Sequence, residues 1–158
     1  MDSFRARARG GARAAEGLDY LAPREERSVQ DNPRYVARWM SKDLLTTTPD
    51  ATLEDALQRM EERRIRHLPV VDGGKLVGLL SDRDVRHSLA GEGTQSPVRE
   101  VMTPYPKLRC VSPGTLVRDA AELLCREKIS SLPVVQGETL AGIVTSEDLL
   151  WAFLEQPE

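Results

Sequence analysis

The sequence predicts a mixed α/β (α+β) fold of two βαββα repeats, packed about a pseudo-twofold axis with their sheets face to face and their helices outside. The stretch Gly78 to Asp84, "GLLSDRD", returns 64 residues later as Gly142 to Asp148, "GIVTSED". From Pro49/Pro113 to the last helix the two copies align without a gap. Asp55/Asp119, Ala56/Ala120, Ile65/Ile129, Leu68-Pro69-Val70-Val71/Leu132-Pro133-Val134-Val135, Gly73/Gly137, Leu76/Leu140 and Gly78/Gly142 are identical. Such self-similarity marks a repeat architecture. A repeat this small buries too little surface to be secure alone, so the two sheets are expected to pack together and leave a cleft along the axis.

Each element follows from its residues. After Pro49 comes an amphipathic helix from Thr52 to about Arg64, with Leu53, Ala56, Leu57 and Met60 at helical spacing and Thr52 with Asp55 as a capping box. In the second copy Leu116 or Val117, Ala120, Ala121, Leu123 and Leu124 form the apolar face. "HLPVV" and "SLPVV" read as short strands with the proline at the beginning, where no ladder hydrogen bond is lost. "DGGK" and "QGET" are hairpin turns. "LVGLL" and "LAGIV" are buried strands, ended by Ser81 and Thr145 as N-caps of the final helices. Upstream, Met40 and Met102 correspond at an offset of 62, which places two extra residues of the second copy within "TPYPKLR".

Composition excludes several classes. The chain has 158 residues, 40% of them hydrophobic and 30% charged, with a net charge of −3. Its longest apolar runs are strand-sized, far below the roughly 20 residues of a membrane span. Cys110 and Cys125 lack C-x-x-C spacing and read as reduced and mostly buried, which fits a cytoplasmic setting. The first 32 residues stand apart: residues 1–15 hold four arginines against one aspartate, and residues 16–32 five acids against two arginines. This segment reads as a disordered tail or an upstream start, with a transit peptide or nucleic-acid arm as the functional alternatives. It contains no apolar core of a secretory signal. The balanced charge of the body gives no broad footprint for DNA or RNA. No nucleophile, base and orienting group can be assembled, and no phosphate loop is present, so the chain reads as a non-enzyme.

With these elements in order and in both copies, the chain resembles a tandem pair of CBS domains, the Bateman module. The resemblance runs from about residue 35 to 154: residues 1–34 are tail and lead-in, 35–97 the first domain and 98–158 the second. It implies a regulatory module that binds an adenosine compound (AMP, ADP, ATP, NAD or S-adenosylmethionine) in the interdomain cleft, with no required cofactor. Such a module acts through a partner or a change of oligomer. The partner is not named by the sequence, and a homodimer is expected through "EDLLWAFL" and "RDVRHSLA", where Leu149, Leu150, Trp151 and Phe153 are too apolar for water unless packed or paired. A ligand-free dimerisation scaffold is the alternative reading, with an enzyme or nucleic-acid binder behind it.

The repeated hydroxyl-x-x-carboxylate has its own chemistry. It puts both groups on the first turn of a helix, beside the free N–H groups, where a carboxylate accepts both hydrogens of a ribose cis-diol and the helix dipole keeps it ionised. The resemblance thus implies Asp84 and Asp148 as ribose contacts with Ser81 and Thr145 beside them. The same spacing is also a self-contained capping box. For adenine the resemblance implies a slot between Thr46-Thr47-Thr48 or Cys110-Val111-Ser112 and the strands that carry Pro69 and Pro133. For phosphate it implies Arg66 and His67, which align with the basic pair of the gamma subunit of AMP-activated protein kinase. The second copy has Ser130 and Ser131 there, and Arg83 is replaced by Glu147. Two unequal sites are expected, one better suited to a charged ligand.

Overall fold

A computed structural model of the chain describes residues 29–91 and 93–155, so the expectations for residues 1–28 lie outside the described residues. The first repeat comprises helix α1 (Leu53–Arg63), strands β1 (His67–Asp72) and β2 (Lys75–Ser81), and helix α2 (Asp82–Leu89). A short strand β3 (Thr103–Pro104) follows, and the second repeat is α3 (Val117–Glu127), β4 (Ser131–Gln136), β5 (Thr139–Thr145) and α4 (Ser146–Leu154). Antiparallel β1-β2-β3 form one sheet and β4-β5 the other. The opening strand of each expected βαββα unit is reduced to one parallel bridge, Thr47 with Val70 and Val111 with Val134. Pro49 and Pro113 follow two residues later; they lack an N–H and begin the turn into the helix, so the pairing stops there.

Local chemistry explains the elements. Helix α1 starts at Thr52, whose hydroxyl accepts the Asp55 N–H at 3.1 Å, but the Asp55 carboxylate pairs with Arg59 one turn on (3.0 Å) instead of returning to the cap. Only half of the expected capping box is therefore made. Pro69 and Pro133 are the third strand residues, because His67 and Ser131 already pair with Ser81 and Thr145. The outer edge of β1 meets only the bridge at Thr47, whose N–H bonds the Pro69 carbonyl at 3.0 Å, so the proline costs no ladder bond. Gly73 and Gly74 both have positive φ (55° and 80°), as a two-residue type I′ hairpin requires. Cys125 is exposed and Cys110 only partly buried, unlike the expectation. Residue 125 follows the buried Leu124 by one position, which turns it about 100° away from the core.

Each repeat has its own core: Leu53, Met60, Leu68 and Leu80 in the first, Val117, Leu132, Val144 and Leu149 in the second. Neither core is completed by its own lead-in. Val36, preceding the first repeat, is fully buried in the second core, and Val98, preceding the second repeat, is fully buried in the first. The exchange is matched bond for bond: Val36 N–H to Thr115 O (2.9 Å) and Ala37 N–H to Pro113 O (3.0 Å) on one side, Val98 N–H to Ala51 O (2.8 Å) and Arg99 N–H to Pro49 O (3.0 Å) on the other. Met40-Ser41 then crosses β5 at Gly142, and Met102-Thr103 crosses β2 at Gly78; a Cβ on Gly142 would stand 2.8 Å from the Ser41 carbonyl oxygen. The glycines are required by this close approach. The hairpins also meet directly, through Leu76 N–H to Glu138 O (3.2 Å) and an exposed Lys75 to Glu138 ion pair at 2.7 Å.

Candidate ligand cleft between the repeats

A cleft of about 610 Å³ opens between the repeats. One wall is the end of α1 and the start of β1: Arg63, Arg64, Ile65, Arg66, His67 and Pro69. The other is the end of β5 and the start of α4, with Ile143, Thr145, Ser146 and Glu147; Ser41, Asp43, Leu44 and Leu45 of the first lead-in and Ser130 close it. The cleft therefore joins the basic run of one copy to the helix N-terminus of the other. The positive end of the α4 dipole favours an anion, as do three arginines opposed by Asp43 and Glu147, while the Ser146 N–H is taken by the Ser130 carbonyl (2.9 Å) and the Asp148 N–H by the Thr145 hydroxyl (3.3 Å).

The αL caps shape the basic wall. Arg64 has φ 52°, and the Ile65 N–H reaches back to the Met60 carbonyl at 3.0 Å to close a Schellman turn. A glycine normally sits at such a position, so the arginine occupies it at some cost in backbone energy. Lys128 repeats the geometry with φ 55° in the second copy.

The two carboxylates of the repeated motif differ in their engagement. Ser81 donates to Asp84 Oδ2 at 2.6 Å and accepts the Asp84 N–H at 3.1 Å. At α4 the box is complete: the Thr145 N–H and hydroxyl both donate to Asp148 Oδ2 (2.8 and 2.9 Å), and the Asp148 N–H donates to Thr145 Oγ1 at 3.3 Å. His67 is partly buried, and burial draws its pKa below the ordinary histidine value, opposed by the charge of Asp84, reinforced by that of Arg66 and opposed again by that of Asp82. Thr47 is buried with its Oγ1 unpartnered among the described residues, while its backbone N–H and carbonyl are both used by β1.

Of the residues named from the sequence, Arg66, His67, Pro69 and Thr145 line this cleft together. Thr47, Thr48, Ser81, Arg83, Asp84, Val111, Ser131, Pro133 and Asp148 are not among its lining residues, although Asp148 holds Thr145 in place. Sequence reading missed Arg63 and Arg64, whose signal was the charge run "RRIRH", and Ser41, which only the exchange of lead-ins brings here.

The fold of exchanged lead-ins around two hairpins defines a paired-repeat module, and the CBS domain profile matches residues 36–91 and 98–155. The chain belongs to the CBS domain family. It is 35% identical over 112 residues to the CBS domain-containing protein YhcV of Bacillus subtilis, covering 70% of this chain and 79% of that one. Among solved structures it is similar to the CBS domain pair of protein MJ0100 in complex with 5′-methylthioadenosine and S-adenosyl-L-methionine (TM-score 0.69, 30% identity, 75% of this chain and 94% of that one). It is likewise similar to CBSX2 in complex with AMP (TM-score 0.68, 31% identity, 77% and 97%). An inosine-5′-monophosphate dehydrogenase of Methanocaldococcus jannaschii is 38% identical over 111 residues, but the chain spans only 21% of that enzyme, so the match concerns its CBS part alone. Among the described residues no helix is long and apolar enough to cross a membrane.

Proposed function

We propose that this chain is a regulatory sensor that binds a phosphate-bearing adenosine compound in the cleft between its repeats and acts through a partner or a change of oligomer. The observation that carries this reading is the cleft itself, where Arg63, Arg64, Arg66 and His67 face the N-terminus of α4. Solved relatives that hold AMP or S-adenosyl-L-methionine support an adenosine ligand. The cationic wall favours the anionic members of that class over the sulfonium of S-adenosylmethionine. Output through assembly is supported by α4, on which Leu149 is buried but Leu150 (64% exposed), Trp151 (55%) and Phe153 (47%) remain uncovered and available to a second copy.

The test is mass spectrometry of small molecules retained on purification, followed by calorimetric titration with AMP, ATP, NAD and S-adenosylmethionine and sedimentation with and without ligand. AMP or ATP is expected to bind more tightly than S-adenosylmethionine. If none of the four binds, the scaffold reading replaces this one. That reading has its own support in the way Asp84 and Asp148 are satisfied as helix caps within their own turns.

A further inference from the structure

Resting on the reading above, we propose that occupation of the cleft by a ligand phosphate is coupled to proton uptake at His67, so that the module reports pH together with ligand. His67 opens β1 on the cleft wall, next to Arg66 and opposite Ser81. The charged groups around it come from every neighbouring element. Asp82 and Asp84 stand at the start of α2, Arg63 and Arg64 at the end of α1, Asp43 on the lead-in, and Glu147 across the cleft at the start of α4. The imidazole thus feels the charges of Asp84, Arg66 and Asp82 on a cleft wall that also carries Arg63 and Arg64.

Without ligand, burial draws the ring's pKa below the ordinary histidine value, against the pull of Asp84, with the help of Arg66 and against the pull of Asp82, and so favours the neutral imidazole. A neutral imidazole offers one N–H donor; the imidazolium offers two and a positive charge. A phosphate dianion entering the cleft reverses the local balance and raises the ring's pKa. Between the free and bound pKa values, binding takes up a proton, and affinity rises as pH falls through that window. One linked proton makes the gain at most about tenfold per pH unit. His87, the other histidine, lies on the outer turns of α2 and does not line the cleft.

The experiment is calorimetric titration of AMP into the full chain at pH 7.0 in two buffers of different ionisation enthalpy, which counts protons directly. His67→Gln and adenosine are run in parallel. Because the ligand phosphate has its own second pKa of about 6, the variant subtracts its contribution. The parent is expected to take up about 0.5–1 proton more per AMP than His67→Gln, and adenosine is expected to bind without this uptake. Equal uptake by parent and variant, or equal uptake with AMP and adenosine, overturns the coupling and leaves the binding site standing. Absence of binding by AMP, ATP and NAD alike overturns the site and the coupling together. If His67→Gln does not fold, NMR titration of the parent, assigned with His87→Gln, decides instead: a His67 pKa unchanged by saturating AMP overturns the proposal.

Discussion

The two repeats have the same backbone and different walls. At corresponding positions the first presents Arg63-Arg64-Ile65-Arg66-His67 and the second Glu127-Lys128-Ile129-Ser130-Ser131. Both runs contain the αL cap at their second residue, both end on the first residue of a strand whose proline stands two positions on, and both hairpins carry a bulge at the paired valines. What is repeated makes the fold; what differs makes one side of the axis basic. A duplicated scaffold thus keeps its core constraints in both copies and specialises by exchanging the few side chains at the end of one helix.

The largest expected effect tests which repeat supplies the helix N-terminus for the ligand. The cleft holding the arginines is lined by Thr145, Ser146 and Glu147, which puts it on the Asp148 side of the axis. Asp148 does not itself line the cleft, and both of its capping bonds go to Oδ2, so Oδ1 is the atom left for a ligand; Asp148→Asn keeps a capping oxygen and removes the charge, so it separates ligand contact from helix capping. Loss of one charge-assisted contact costs about 1.5–3 kcal/mol, or roughly 10- to 150-fold in AMP affinity. Asp84→Asn is expected to change it by about threefold or less, the scale of an exposed charge. Calorimetry that gives the two variants equal losses would break the comparison, and no loss in either would make both aspartates caps only.

The exchange of lead-ins supplies the next test. Alanine at Gly142 drives its Cβ to 2.7 Å from Met40 Sδ and 2.8 Å from the Ser41 carbonyl oxygen, and alanine at Gly78 to 2.5 Å from Met102 Sδ and 3.0 Å from the Thr103 carbonyl. A methionine end swings aside, but a backbone carbonyl held in the sheet moves only with its strand. Gly142→Ala is therefore expected to cost about 2–3 kcal/mol and Gly78→Ala about 1–2 kcal/mol. Thermal unfolding checks the order, and a reversed order would show that the methionines, not the carbonyls, limit the packing. Gly142→Ala should also weaken ligand binding, because Ser41 lines the cleft.

The repeats, the hairpins and the caps at Ser81 and Thr145 were legible because each depends on residues close in sequence: a 64-residue self-match, glycine pairs at turns, hydroxyls at strand ends. The burial of Val36 and Val98 was not. Each sits alone before a repeat without a periodic partner, and its place depends on a crossing between copies that no local pattern encodes. The same crossing hid Ser41. Arg66 and His67 were singled out by the family resemblance, and comparison with the second copy showed only that Ser130 and Ser131 stand there instead; Arg64 was not singled out, since its αL conformation is usually announced by glycine and here is not.

That conformation carries the smallest of the three effects. Arg64 (φ 52°) and Lys128 (φ 55°) occupy equivalent backbone positions, so glycine at either should relieve the same steric cost while adding freedom to the unfolded chain. The net gain expected is about 0.5–1 kcal/mol for each, a rise of roughly 2–5 °C in melting temperature. Binding separates them. Arg64 lines the cleft and Lys128 is not among its lining residues, so Arg64→Gly should lose AMP affinity several-fold while becoming more stable, and Lys128→Gly should become more stable at unchanged affinity. Such a split would mean that the first repeat carries a residue disfavoured by its own backbone for the sake of the ligand. Equal affinity losses would place the effect in the backbone turn that both copies share, and the asymmetry of the two walls would then have no bearing on binding at this position.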